Sequence, residues 1–197
     1  YMPRLLLLVE QSEVQLFQIE QELIESGWGN GLVPLAANVQ DESRVEQIFR
    51  QFRPEAVFHA AAHKHVPLME SQPGEAVKNN ALGTLRLAEA SSRHGTDRFV
   101  LISTDKAINP TSVMGATKRL AEMCLQSLHA QKPGSTRFMA VRFGNVLGSS
   151  GSVVHIFTKQ IAAGGPVKVT HPDMRRYFMT IPEAVGLVLQ SAALGTG

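Results

Sequence analysis

Cysteine and aromatic residues are scarce in this chain of 197 residues, which contains one cysteine, one tryptophan and two tyrosines. The single cysteine, Cys124, excludes an internal disulfide framework and fits a reducing compartment such as the cytoplasm. No cysteine or histidine spacing typical of a metal site is present. The apolar run at residues 5–9 is far too short to span a bilayer. The sequence as given therefore predicts a soluble chain without structural metal.

Charge of one sign is also lacking, because 19 basic and 17 acidic residues leave a formal net charge of +2. The basic residues are scattered rather than clustered, so we expect no nucleic-acid partner. Hydrophobic residues make up 44% and charged residues 18% of the chain. This balance is typical of a globular enzyme with a packed core and excludes a disordered module.

Five short apolar runs predict strands that are buried on both faces of a parallel sheet. Stretches with helical spacing lie between them. The alternation predicts βαβ units and an α/β fold with a Rossmann-like, doubly wound parallel sheet. Asp41 is a candidate N-cap, and Gly95 a candidate helix end. The predicted strands are residues 5–9, 32–36, 56–60, 99–102 and 139–143, and the predicted helices are residues 14–25, 42–52, 75–93 and 115–130.

The pattern changes near residue 149, which divides the chain into two predicted parts. Residues 1–148 form a truncated dinucleotide-binding domain, and residues 149–197 form the start of a small substrate-binding lobe. In the second part we expect a helix at 153–163, a strand at 167–170 and a helix after Pro182.

A dinucleotide fold normally opens with a strand and a glycine-rich loop that lets the pyrophosphate approach a helix N-terminus. No such loop is present here, so we expect that the first βα unit is missing. The first predicted strand ends at Glu10, where such folds bind the adenosine ribose, and a carboxylate there favours NAD over NADP. The alternative is that Glu10 caps the next helix, a task that also suits Ser12 and Glu13.

The fourth predicted strand leads into Ser103, Thr104, Asp105 and Lys106. An acid and a base side by side at the carboxyl end of a strand are typical of a site that moves protons. Lys118 follows one helical turn after Met114 and can reach the same site. The alternative is that Asp105 and Lys106 form a surface ion pair and Lys118 is solvated.

Six motifs in order resemble the extended short-chain dehydrogenase/reductase superfamily. Within it they are most similar to the bacterial polysaccharide-biosynthesis UDP-N-acetylglucosamine 4,6-dehydratases. Several such motifs in sequence are specific, whereas one alone would be weak. They occupy residues 58–70, 79–84, 103–110, 114–118, 142–148 and 174–183.

This resemblance implies an NAD-dependent lyase. The sugar is oxidised at C4, water is eliminated across C5 and C6, and hydride returns to C6. By analogy Asp105 is the acid and Lys106 the base, so the pKa of Asp105 must rise and that of Lys106 must fall. Burial under substrate favours both changes, while their proximity opposes them. Ser103 and Thr104 either hydrogen-bond the C4 oxygen or satisfy backbone groups at the strand end.

Superfamily members usually carry a tyrosine base where this chain has Met114. A thioether cannot accept a proton, although some membrane-linked dehydratases of the family also carry methionine there. Candidates for taking the proton of the C4 hydroxyl are Thr104, Lys118, a water molecule and Asp105. The resemblance gives Lys118 the role of binding the nicotinamide ribose and stabilising negative charge.

The resemblance also implies cofactor and substrate contacts. Several of these contacts have a structural alternative. For Asn80 the alternative is purely structural hydrogen bonds, and for Ala60 to Ala62 it is tight packing. For Arg176 the alternative is a solvated pair with Arg175. The expected cofactor contacts are Glu10, Asn38, Val39, Ala60, Ala61, Ala62, Asn80, Ser103, Lys118, Phe143 and Gly144. The expected substrate contacts are Lys64, His65, Asn145 and Arg176.

Two rival functions remain open. A sugar 4-epimerase shares the scaffold and the first oxidation, but it normally needs the tyrosine and has no use for adjacent Asp105 and Lys106. A catalytically silent dinucleotide-fold module would account for the missing loop and tyrosine. As partners we expect a UDP-sugar and, in a homo-oligomer, further copies of the chain. We expect a cytoplasmic catalytic domain, with a membrane anchor of the full-length protein left open.

Overall fold

Strands and helices alternate along most of the chain. The computed structural model describes residues 3–131, 136–149, 153–169 and 171–197. The five predicted strands are confirmed, with shifts of at most two residues at their ends. They are β1 Leu6–Glu10, β2 Leu32–Ala36, β3 Ala56–His59, β4 Arg98–Thr104 and β5 Arg137–Phe143.

The predicted helices between these strands are also confirmed. Ser12 and Asp41 each accept a hydrogen bond from a backbone N–H in the first turn of their helix, and Gly95 ends its helix with a φ of 74°. This left-handed conformation suits glycine. The helices are α1 Glu13–Glu25, α2 Glu42–Phe52, α3 Val66–Ser71, α4 Pro73–Ala76, α5 Gly83–His94 and α6 Val113–Gln131.

Two helical features differ from the prediction. Helix α3 was not predicted, and the helix expected at 75–93 contains a π-helical segment, Val77–Leu82, between α4 and α5. The wider π turn buries Asn79 and Asn80. Because a 3.6-residue period cannot reveal one inserted residue, the sequence pattern could not predict this segment.

All pairings among β1 to β5 are parallel, but they form two groups. Strand β1 pairs with β2, while β4 lies between β3 and β5. Within the described part of the chain no backbone ladder joins β1 to β3. In the doubly wound strand order this gap falls where the strand of a first βα unit lies.

The core is centred on β4, whose residues Phe99, Val100 and Leu101 are fully buried. On one face Phe99 and Leu101 pack against α5 and α6, and on the other Val100 packs with Met139 and Ala192. Helices on both faces explain why β4 is a continuous apolar run.

The last part of the chain contains β6 Asn145–Val146, α7 Val153–Ala162, β7 Phe178–Met179 and α8 Ile181–Leu194. The predicted strand at 167–170 is wrong, because residues 167–169 form no strand; Thr170 lies outside the described residues. Val169 is exposed, and no strand in the described part of the chain pairs with it. Helix α8 packs on β4 and β5. The division of the chain into two parts at residue 148 stays a prediction. No described helix has both the length and the apolar character of a membrane span.

Candidate active site

The Asp105–Lys106 pair lies at the carboxyl end of β4, in a 3₁₀ turn that spans Asp105–Ala107. Thr104 begins the turn: its Oγ1 accepts a hydrogen bond from the Lys106 backbone N–H and donates one to Asp105 Oδ1, 3.0 Å away. Lys106 Nζ lies 2.9 Å from Asp105 Oδ1 and 3.4 Å from Asn145 Oδ1. The side chains of the pair therefore contact each other directly at this edge of the sheet.

Both side chains of this pair are about one-third exposed. Partial burial raises the pKa of Asp105, but hydrogen bonds from Lys106 and Thr104 outweigh it, so the pKa lies below its ordinary value. This direction is opposite to the one that proton donation needs. Asp105 is therefore a carboxylate in the free structure, and its acid form requires a change of surroundings.

A cleft of about 370 Å³ opens beside this pair, at the ends of β3, β4 and β5. It brings together twelve of the residues that the sequence predicted for the site. They are Ala60, Ala62, Lys64, His65, Ser103, Thr104, Lys106, Met114, Lys118, Phe143, Gly144 and Asn145.

Helix α6 carries Lys118 to the cleft wall. The side chain is only 5% exposed, and its ammonium makes no hydrogen bond to the residues that the structure describes. Burial lowers the pKa of Lys118 to about 8, although the negative charge of Glu122 raises it in part. A buried cation without a protein acceptor is suited to binding an oxygen atom of a ligand.

Close packing sets the position of this helix. A Cβ added to Gly115 would lie 2.2 Å from the Lys106 carbonyl oxygen, so only glycine lets α6 come this close to the catalytic turn. The neighbouring Met114 is buried with Met69 and Ala76. Met114 thus belongs to an apolar cluster at the cleft wall.

Glu122 is a buried carboxylate that the sequence reasoning missed. It accepts hydrogen bonds from Ser103 Oγ at 2.6 Å, from Arg142 Nε at 2.8 Å and from Arg119 at 3.1 Å. Burial raises the pKa of Glu122, but these donors outweigh it and hold the pKa below its ordinary value. The available signal was its spacing of four residues from Lys118, which places both on one helix face.

Asn80 is fully buried and bonded to protein groups. Its Oδ1 accepts the His63 backbone N–H, and its Nδ2 donates to the His63 carbonyl and to Thr117 Oγ1. These bonds join the loop after β3 to α6. Direct cofactor contact by Asn80 stays a prediction; in this structure its amide holds the cleft wall.

His59, at the end of β3, is also buried. Thr84 Oγ1 donates its hydrogen to the Asn80 carbonyl, so it accepts from His59 Nε2 across 2.8 Å. Burial, assisted by the positive charge of Lys118, lowers the pKa of His59 to about 3. The ring is therefore neutral and packs beside Phe99.

A second, open hollow lies at the carboxyl ends of β1 and β2 and includes Asn38 in its lining. Asn38 Oδ1 accepts the Gln40 backbone N–H, and its Nδ2 donates to Gln11. Glu10 Oε1 accepts the Ser12 backbone N–H, which is the helix-capping contact considered above. Both side chains already have protein partners, and their ribose and adenine roles stay predictions.

Six predicted residues line neither hollow, although one of them, Asp105, contacts Lys106 beside the cleft. The six are Glu10, Val39, Ala61, Asn80, Asp105 and Arg176. Val39 packs against Gly83, where an added Cβ would lie 3.0 Å from Val39 Cγ2. Arg176 is exposed and donates to the neighbouring Arg175 carbonyl. The adjacent residue Tyr177 contacts a predicted substrate residue through its backbone, because its carbonyl accepts the Asn145 backbone N–H at 2.9 Å.

Comparison with known proteins gives close relatives over the whole chain. The chain is 54% identical over 197 residues to the capsular polysaccharide biosynthesis protein CapD of Staphylococcus aureus, covering 99% of the chain and 33% of CapD. It is 53% identical over 199 residues to the probable polysaccharide biosynthesis protein EpsC of Bacillus subtilis, covering 100% of the chain and 33% of EpsC. The chain thus spans about a third of the length of these relatives.

A UDP-glucose 4-epimerase of Rickettsia massiliae is 39% identical over 134 residues, which cover 68% of the chain and 39% of the epimerase. Among solved structures, Pen from Bacillus thuringiensis has a TM-score of 0.92 at 33% identity, covering 99% of the chain and 59% of Pen. The dTDP-glucose 4,6-dehydratase DesIV of Streptomyces venezuelae, solved with NAD, has a TM-score of 0.81 at 16% identity. The match covers 97% of the chain and 64% of DesIV and shows a shared fold.

A family model described as "Polysaccharide biosynthesis protein" matches residues 1–197. The match agrees with the relatives and with the parallel α/β fold. The chain belongs to this polysaccharide biosynthesis family, within the extended short-chain dehydrogenase/reductase superfamily.

Proposed function

We propose that the protein is an NAD-dependent nucleotide-sugar 4,6-dehydratase that acts on UDP-N-acetylglucosamine in the synthesis of a surface polysaccharide. The observation that carries this proposal is the contact between Asp105 and Lys106 at the carboxyl end of β4. Elimination of water needs one group to remove a proton and another to protonate the leaving hydroxyl, and adjacent side chains can do both.

The residues present fit a dinucleotide. Lys118 offers a buried ammonium that donates no hydrogen bond to any described residue. Ala60 and Ala62 leave room for a ligand at the cleft wall. Lys118 would hold the ribose next to the nicotinamide, and the hollow beside Asn38 would receive the adenosine end. When bound, NAD supplies the capacity to oxidise C4 and later to reduce C6.

The chain's own residues then move the protons. Once C4 is a ketone, the C5 hydrogen becomes acidic, and Lys106 removes it as an amine. Asp105 protonates the departing C6 hydroxyl as a carboxylic acid. Substrate over the pair excludes water, and the resulting desolvation favours the neutral forms of both groups. The neutral pair results when one proton passes from the Lys106 ammonium to the Asp105 carboxylate.

The proton of the C4 hydroxyl must leave without a tyrosine, because Met114 cannot accept it. Thr104 and Lys118 line the same cleft. With its pKa near 8, Lys118 exists partly as a neutral amine in mildly alkaline solution and can take this proton or stabilise the alkoxide. On the substrate side, Lys64, His65 and Asn145 line the cleft, and Arg176 would pair with the diphosphate.

The rival 4-epimerase function draws support from the likeness to the Rickettsia enzyme. Product analysis separates the two activities. We expect the full-length protein with NAD and UDP-N-acetylglucosamine to yield a UDP-4-keto-6-deoxy sugar, identified by NMR and mass spectrometry. Formation of the C4 epimer would favour the rival, and recovery of intact substrate would favour a silent binding module. Either result would contradict the proposal.

A further inference from the structure

Glu122 connects three elements beneath the cleft. It lies on α6, whereas its partners Ser103 and Arg142 lie on β4 and β5 and face each other in the strand register. The residues that follow these partners line the cleft or form the catalytic pair. Because Glu122 is 3% exposed, water competes little for its oxygens.

We propose that Glu122 is a positioning residue that fixes the ends of β4 and β5 against α6 and keeps a negative charge on the face of α6 that carries Lys118. The inference rests on the proposed function only for the identity of that reaction. The three-way connection itself depends on contacts within the chain.

The first half of this role, here called the strand half, is to fix the ends of β4 and β5, and it follows from geometry. Arg142 binds Glu122 through Nε and a terminal nitrogen, and this two-point contact fixes direction as well as distance. Ser103 binds the same Glu122 oxygen as Arg142 Nε. Thr104 and Phe143 are the next register pair, so a tilt of either strand end would move the catalytic turn relative to Asn145.

The second half of this role, here called the helix half, is the effect of Glu122 on Lys118 within α6, and it follows from charge. Lys118 and Glu122 are four residues apart on one face of α6, and both are buried. The Glu122 carboxylate favours the ammonium form of Lys118 and opposes the effect of burial. Without this carboxylate, the effect of burial on the pKa of Lys118 would be unopposed.

Two substitutions in the full-length protein separate these halves. Glu122→Gln keeps the side-chain shape and removes the charge, while Arg142→Lys keeps the charge and removes the two-point contact. Glu46→Gln is the matched control, because Glu46 also binds an arginine, Arg93, and joins α2 to α5 away from the cleft. Thermal melting checks that each variant is folded.

The first readout is the rate at which a small acylating reagent modifies Lys118 at each pH, measured by peptide mass spectrometry. It requires no enzymatic activity, so it is independent of the proposed function. We expect a midpoint near pH 8 for the unchanged protein and for Glu46→Gln. In Glu122→Gln we expect the midpoint to fall by about one pH unit. An unchanged midpoint would overturn the helix half.

The second readout is turnover. We expect Arg142→Lys to lower kcat at least about tenfold with little change in the Lys118 midpoint, since loss of alignment affects the chemical step. Unchanged kcat would overturn the strand half. If Glu122→Gln does not fold, the Lys118 midpoint measured in Arg142→Lys still tests the helix half. This variant keeps the Glu122 carboxylate, so a large shift of its midpoint would show that Glu122 is not the source of the charge effect on Lys118.

Discussion

The β3–β4–β5 half and the β1–β2 half of the chain use the same parallel βα construction but differ in burial. Strand β4 contributes three fully buried residues in a row, whereas no residue of β1 or β2 reaches full burial. Helix α1 buries only Leu16 and leaves Val14 and Phe17 exposed. Parallel strands are normally covered on both faces, so the β1–β2 half is covered incompletely by the residues described.

This difference indicates where the chemistry can be held rigidly. The Asp105–Ala107 turn, Lys118 and Glu122 all depend on the well-packed half. The hollow beside Asn38 depends on the less buried half. Positioning within a fraction of an ångström requires packed supports, so the dense core suits the groups that we propose to move protons.

The largest expected effect is on turnover. Asp105→Asn removes the proposed acid and should lower kcat by about 10²- to 10⁴-fold. The matched control is Asp97→Asn, because Asp97 precedes the same strand at its opposite end and pairs with Arg137 on the surface. Steady-state assays of both variants should show the loss only in Asp105→Asn. Equal activities would contradict the role of the β4 carboxyl end.

The second prediction compares stability between the two halves. Leu101→Ala opens a cavity in the fully buried part of β4 and should cost about 3–5 kcal/mol of the free energy of unfolding. Leu7→Ala, in the partly exposed strand β1, should cost about 1 kcal/mol. Urea unfolding measures both. Similar losses would show that the β1–β2 half contributes as much core.

The third prediction concerns the cost of the buried cation. Because the pKa of Lys118 is about 8 in the folded chain and 10.5 in its ordinary state, the unfolded chain holds this proton more tightly. The charge on Lys118 therefore lowers the free energy of unfolding by its full amount below pH 8. This penalty disappears as the pH rises from 8 to 10.5. Lys118→Met should stabilise the chain at pH 7 by about 2–3 kcal/mol. Lower thermal stability of this variant would contradict the account.

The smallest predicted effect is the acid sensitivity caused by His59. Its pKa is about 3 in the folded chain and 6.5 in its ordinary state, so only the unfolded chain takes up this proton between those values. Stability should fall with decreasing pH in this window by up to about 1.4 kcal/mol per unit. Urea unfolding should show that the free energy of unfolding falls less between pH 7 and pH 5 in His59→Asn than in the unchanged protein. Equal losses would contradict a buried neutral ring.

The sequence predicted those features that depend on local pattern. Apolar runs identified β1 to β5 but not the two-residue strands β6 and β7, and residue order at the strand ends placed Thr104, Lys106 and Asn145 in one cleft. The Glu122 network was missed because a glutamate four residues after a lysine is typical of a solvated helix face. Its burial depends on Arg142, which arrives from β5, twenty residues later in the chain. The strand expected near Val169 was wrong because alternation alone does not supply a pairing partner.

The most direct test of the central role of the Asp105–Lys106 pair is deuterium incorporation at C5 of the sugar in deuterated water. The full-length protein should release a 4-keto-6-deoxy product with deuterium at C5. Lys106→Ala should retain UDP binding by calorimetry but incorporate none. Deuterium at C5 in Lys106→Ala at the unchanged rate would contradict the assignment of Lys106 as the base that removes the C5 proton.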